Sequence, residues 1–138
     1  MTFTPAAAKT IADFLSDTST VADDYDLIVT GDLGSVGSDL LNQLLIKENG
    51  IDISKNHKDC GLMIFDTEKQ DVHAGGSGCG CSASVLCSYI LNSMRKGEYN
   101  NILFVATGAL MSPVSSLQGR SIPGIAHLLN IRMKGGRR

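Results

Sequence analysis

Tyr25-Asp-Leu-Ile-Val-Thr-Gly-Asp-Leu-Gly34 is the stretch that decides the fold. Leu27, Ile28 and Val29 make an unbroken apolar run, which suits a strand covered on both faces better than one alternating between core and solvent. Gly31 and Gly34 end the run in a turn. Beyond the turn, Leu40, Leu41, Leu44 and Leu45 share one helical stripe, and Asn49-Gly50 reads as its stop. Before the strand, Pro5 suits a first helical turn, and Ala8, Ile11, Phe14 and Leu15 recur at three- and four-residue spacing. Strands alternating with helices predict a layered α/β domain.

The rest of the chain extends that pattern. Ser54 to Asp59 reads as a polar loop, Gly61 to Phe65 (GLMIF) as a second buried strand, and Val72 as the opening of a further short strand. Val85, Leu86, Tyr89, Ile90 and Met94 trace one helical face ending near Lys96-Gly97. Asn101 to Ala106 (NILFVA) predicts a third strand, running on towards Gly108, and Gly124 to Ile131 (GIAHLLNI) a final one. Asp23, Asp24 and Asp26 read as a solvated turn, and His57 and His127 take no role.

With 138 residues the chain has the length of one domain, and its 43% hydrophobic and 19% charged content is ordinary globular composition that argues against disorder. The longest nearly apolar stretch, Ala83 to Met94, is interrupted by Ser84, Ser88 and Asn92 and is too short to span a bilayer. No charged-then-apolar leader opens the sequence, so cytoplasmic synthesis without a signal peptide is expected. A net charge of −2 leaves no footprint for nucleic acid, and Arg132, Lys134, Arg137 and Arg138 form only a basic tail. Cys60, Cys79, Cys81 and Cys87 lack the paired C-x-x-C spacing of a structural zinc site, so reduced structural thiols are expected, with Cys87 in the core. No cofactor or metal is expected.

In α/β sheets ligands gather at the carboxyl ends of strands. Three such ends carry glycine: 31–34, 75–80 and Thr107-Gly108. The candidate ligand-binding residues are Gly31, Asp32, Gly34, Ser77, Gly78, Cys79, Gly80, Gly108, Met111 and Ser112, with His73, Ser82, Ser84 and Thr107 as further polar groups nearby. Gly75-Gly-Ser-Gly-Cys-Gly80 leads into a helix whose free N–H groups attract anions, although it is neither a dinucleotide fingerprint nor a P-loop. A tight packing turn explains the same glycines. Cys79 and Cys81 sit where a helix start lowers a thiol pKa, and His73 lies upstream as a base. No third orienting group is evident, however, so no catalytic residue is assigned.

The order of these turns resembles the C-terminal half of the thiolase fold. Three phrases, Val29-Thr-Gly-Asp-Leu-Gly-Ser-Val-Gly-Ser38, Gly75-Gly-Ser-Gly-Cys-Gly-Cys-Ser-Ala-Ser84 and Ser121-Ile-Pro-Gly-Ile-Ala-His127, are similar to the stage V sporulation protein AD (SpoVAD) family within that superfamily. The likeness runs from about Thr4 to Ile131. Condensing enzymes of the superfamily place a histidine and two asparagines where this chain has Gly31, Gly34 and Cys79. Their nucleophilic cysteine belongs to an N-terminal half. Glycine cannot polarise a thioester carbonyl, so the resemblance implies a binding protein and not an enzyme. It implies dipicolinic acid (pyridine-2,6-dicarboxylate) as ligand, free or as its calcium chelate, moved during spore formation with the other SpoVA proteins, peripherally at the spore inner membrane. Glycines at 31 and 34 are expected to free volume for that ligand. The chain opens at the first helix, so the first strand and the N-terminal half are read as absent, and a partner half or a homo-oligomer is expected to cover the exposed edge and face. Two alternatives stand beside this reading: a thiolase-like acyl-transfer enzyme using Cys81 or Cys79, and a structural half-domain for partner assembly.

Overall fold

The computed structural model describes residues 3–64, 68–71, 80–109, 117 and 124–134. Two helices, α1 (Phe3–Asp17) and α2 (Gly34–Asn49), flank strand β1 (Leu27–Thr30) in sequence. Strand β2 (His57–Asp59) leads directly into a short helix, α3 (Cys60–Met63). Helix α4 runs over 81–95, and a 3-10 turn (Ala22–Asp24) and strands β3 (Asn101–Ala109) and β4 (Gly124–Arg132) complete the described elements. The sheet has the order β2-β1-β3-β4. β1 pairs in parallel with β2 and β3, with Val29 opposite Lys58 and Phe104, and β4 runs antiparallel to β3.

Both faces of the central strands are covered, as the unbroken apolar run demands. Ile28, Leu103 and Val105 point to a core shared with Ile11 and Leu15 of α1 and Leu41 and Leu45 of α2. Leu27, Val29, Ile102 and Phe104 point the other way, onto Cys60, Cys81, Val85, Ile90 and Met94. The α2 stop falls as expected: Gly50 takes the left-handed conformation (φ 64°) and its N–H returns to the carbonyls of Leu45 and Ile46.

Three expectations are corrected. The run read as a strand from Gly61 is none over its described part, 61–64: residues 60–63 form a helical turn, because Asp59 caps its start by accepting the Gly61 N–H; Phe65 lies outside the described residues. The strand lies earlier, at His57–Asp59, inside the polar stretch read as a loop. Cys87 is exposed and not core, and Tyr89 is 44% exposed. Helix α4 explains this. Its buried positions Cys81, Val85, Ile90 and Met94 are spaced four, five and four, and the five-residue step is absorbed by a π-helical turn, Leu86–Ile90, between Cys81–Val85 and Leu91–Arg95. The extra residue keeps Ile90 facing the sheet and swings Cys87 outward. The acidic turn also has work beyond solvation: Asp26 Oδ2 accepts the N–H groups of Asn100 (2.7 Å) and Asn101 (3.0 Å), tying the entry of β3 to β1. Val72 lies outside the described residues. No helix among the described residues is long and apolar enough to cross a membrane.

Candidate functional site at the carboxyl end of β1

Thr30 ends β1 fully buried, and its side chain starts a network that no spacing in the sequence announces. Its hydroxyl donates to Asp59 Oδ1 at 2.5 Å and lies 3.0 Å from His57 Nε2. Thr30 has one hydroxyl proton and a carboxylate can only accept it, so His57 must donate from Nε2. Asp59, 2% exposed, also accepts the N–H groups of Leu33 (2.9 Å, Oδ1), Gly34 (3.0 Å, Oδ2) and Gly61 (3.1 Å, Oδ2). One carboxylate thus satisfies four donors and sits on the first amides of both α2 and α3, where helix dipoles favour negative charge. Gly34 takes φ 73°, a conformation that side-chain-bearing residues rarely adopt, so the 31–34 turn needs glycine there.

Gly31 is glycine for a different reason. A Cβ built on it would lie 2.9 Å from Thr107 Oγ1 and 3.2 Å from Thr107 N, with Ser82 Cβ at 3.7 Å. The volume expected to be vacated for a ligand at this position is already filled by the neighbouring strand and by α4. Thr107 crosses over Gly31 and donates its hydroxyl to Asp32 Oδ1 at 3.0 Å. The structure therefore gathers Gly31, Asp32, Thr107 and Ser82, with Gly34 held just behind by Asp59. Gly80 is the residue before α4, and a Cβ there would meet nothing within 4 Å. Gly108 faces away towards Ile125 of β4, 3.8 Å from its would-be Cβ. Ser77, Gly78, Cys79, Met111, Ser112 and His73 lie outside the described residues.

Two thiols underlie this cluster. Burial pushes Cys60 up to about 12, and the nearby charge of Asp59, the Cys81 thiol and Asp32 add to the effect. Cys81 is raised in the same direction, first by burial and then by Asp32 and Asp59. The helix start was expected to lower the Cys81 thiol pKa; desolvation and two carboxylates win instead. Iodoacetamide at neutral pH should therefore modify exposed Cys87 and leave Cys60 and Cys81 unlabelled until the chain unfolds. Prompt labelling of Cys81, mapped by mass spectrometry, would contradict this environment.

Burial also lowers the imidazolium pKa of His57 below its ordinary 6.5, against a smaller opposing pull from Asp59. The unfolded chain then takes up a proton at higher pH than the folded one, so stability is present above about pH 6.5 and is lost as pH falls towards the depressed folded value. Urea midpoints should drop between pH 7.5 and 5.5, and His57→Gln, which keeps a donor for Thr30, should flatten that slope. An equal slope in both proteins would place the proton elsewhere.

Sequence reasoning missed Asp59, Thr30 and His57 as parts of the site. An aspartate directly before Cys60-Gly61 is an N-cap signal, and it was available. Its partners at Thr30 and Leu33 are more than 25 residues distant in sequence, and no local pattern reports them.

Comparison with known proteins agrees with the phrases that carried the resemblance. Residues 1–132 match the family described as Stage V sporulation protein AD (SpoVAD). Stage V sporulation protein AD of Bacillus subtilis (strain 168) is 49% identical over 132 residues, which cover 96% of this chain and 38% of that protein. The chain thus spans well under half the length of the relative it matches. A family match over nearly every residue and close identity to a curated member lead to one conclusion: the chain belongs to the stage V sporulation protein AD family, a family of sporulation proteins.

Proposed function

We propose that the chain is a non-catalytic binding part of the sporulation machinery, with dipicolinic acid, free or as its calcium chelate, as its ligand. The observation that carries the non-catalytic reading is the filling of the β1 end. Gly31 is packed against Thr107, the histidine of the cluster is engaged with Thr30 inside the sheet, and both thiols beneath are held protonated. A condensing or acyl-transfer centre needs an accessible thiolate and a free imidazole or carboxamide aimed at a carbonyl. The described residues of this cluster supply neither. Dipicolinate itself rests on the family resemblance.

The partner reading has support of its own. β4 lies at one end of the described sheet and carries Ile125 (41% exposed) and Leu129 (58%) on one face. Large apolar side chains on an edge strand favour a covering partner. That partner is a thiolase-like N-terminal half, a second copy of the chain or another SpoVA protein, and the assembled protein works peripherally at the spore inner membrane.

Calorimetric titration with dipicolinate, with and without calcium, tests the ligand. Saturable heat at one site is expected. Absence of heat in the assembled protein would reject dipicolinate and favour a purely structural half-domain.

A further inference from the structure

The first amides of α2 are the natural seat for a ligand carboxylate at the 31–34 turn, since N–H groups and the helix dipole converge there. In this chain that seat is taken from within. Leu33 N–H and Gly34 N–H both end on Asp59, whose remaining capacity goes to Thr30 and Gly61. A second carboxylate brought to the same amides would displace hydrogen bonds of 2.9–3.0 Å and face the Asp59 charge at close range.

We propose that Asp59 is a positioning residue: a built-in anion that holds the 31–34 turn in shape and bars the α2 start to ligand carboxylates. The assignment to a ligand rests on the binding role proposed above; the anion seat itself does not. Asp59 spans two strands and two helices, because it leaves β2, caps α3, caps α2 and receives the last hydroxyl of β1. A surface N-cap of a single helix would set only its own helix. Asp59 instead fixes the distance between the end of β1 and the start of α2, which is the turn.

The experiment is anion rescue followed by amide NMR. In the wild-type chain, formate should leave the Leu33 and Gly34 amide resonances unmoved; movement of both would show that the seat is open and overturn the proposal. In Asp59→Ala, formate should shift both resonances and raise the melting temperature, while equal ionic strength of chloride should not. A folded Asp59→Ala chain that ignores formate would also overturn it. Where the alanine variant does not fold, Asp59→Asn keeps the shape and one acceptor. It should remain folded by circular dichroism yet bind dipicolinate about tenfold or more weakly, and unchanged affinity would refute the positioning role. If the wild-type protein binds no dipicolinate, the ligand reading fails by itself, and the formate result still decides whether Asp59 occupies the seat.

Discussion

Gly31→Ala should lower stability by about 1–3 kcal/mol, the usual cost of forcing an extra carbon into a packed core, and melt the chain roughly 4–12 °C earlier. The new Cβ would stand 2.9 Å from Thr107 Oγ1 and 3.2 Å from the Thr107 backbone nitrogen. The hydroxyl can rotate away at the expense of its bond to Asp32, but the nitrogen belongs to β3 and moves only if the strands part. Leucine at 31 should do more, abolishing ligand binding as well. A double variant, Gly31→Ala with Thr107→Ala, should recover part of the loss, since the hydroxyl clash goes while the backbone contact stays. Additive losses in that thermal-denaturation cycle would show that the two residues do not meet.

Asp59→Ala should destabilise by roughly 2–4 kcal/mol, because it removes two helix caps and strands buried donors. Four hydrogen bonds converge on this carboxylate, and Thr30 is wholly buried beside it. The loss should show in urea denaturation at pH 7.5. Asp52, whose carboxylate among the described residues accepts hydrogen bonds from the neighbouring exposed Ser54, provides the contrast: Asp52→Ala should change stability by a few tenths of a kcal/mol. Similar costs at the two positions would remove the special standing of Asp59.

These two residues show what the sequence did and did not disclose. The apolar run at 27–29 was legible because burial on both faces leaves a composition signature, and Asn49-Gly50 because a left-handed residue favours glycine. Strand β2 was not. His-Lys-Asp has no apolar residue, and its pairing depends on β1 lying alongside. The run after it was misread as a strand because short apolar runs suit either state, and the decision fell to the Asp59 cap. In α4 the apolar spacing pointed to a regular helix, while the five-residue step from Val85 to Ile90 already required a bulge. At the site, sequence reasoning gives the glycines at 31 and 34 one shared reason, room for a ligand. The structure separates them into a close approach at 31 and a positive φ at 34.

Binding, as proposed, proceeds without a reacting sulfur. Calorimetry of dipicolinate into the Cys81→Ala variant, in the assembled protein, tests this most directly. The predicted result is wild-type affinity, with no acyl adduct on the unmodified protein after incubation with acyl-CoA. Lost binding in the variant, together with a covalent acyl group mapped to Cys81, would contradict it.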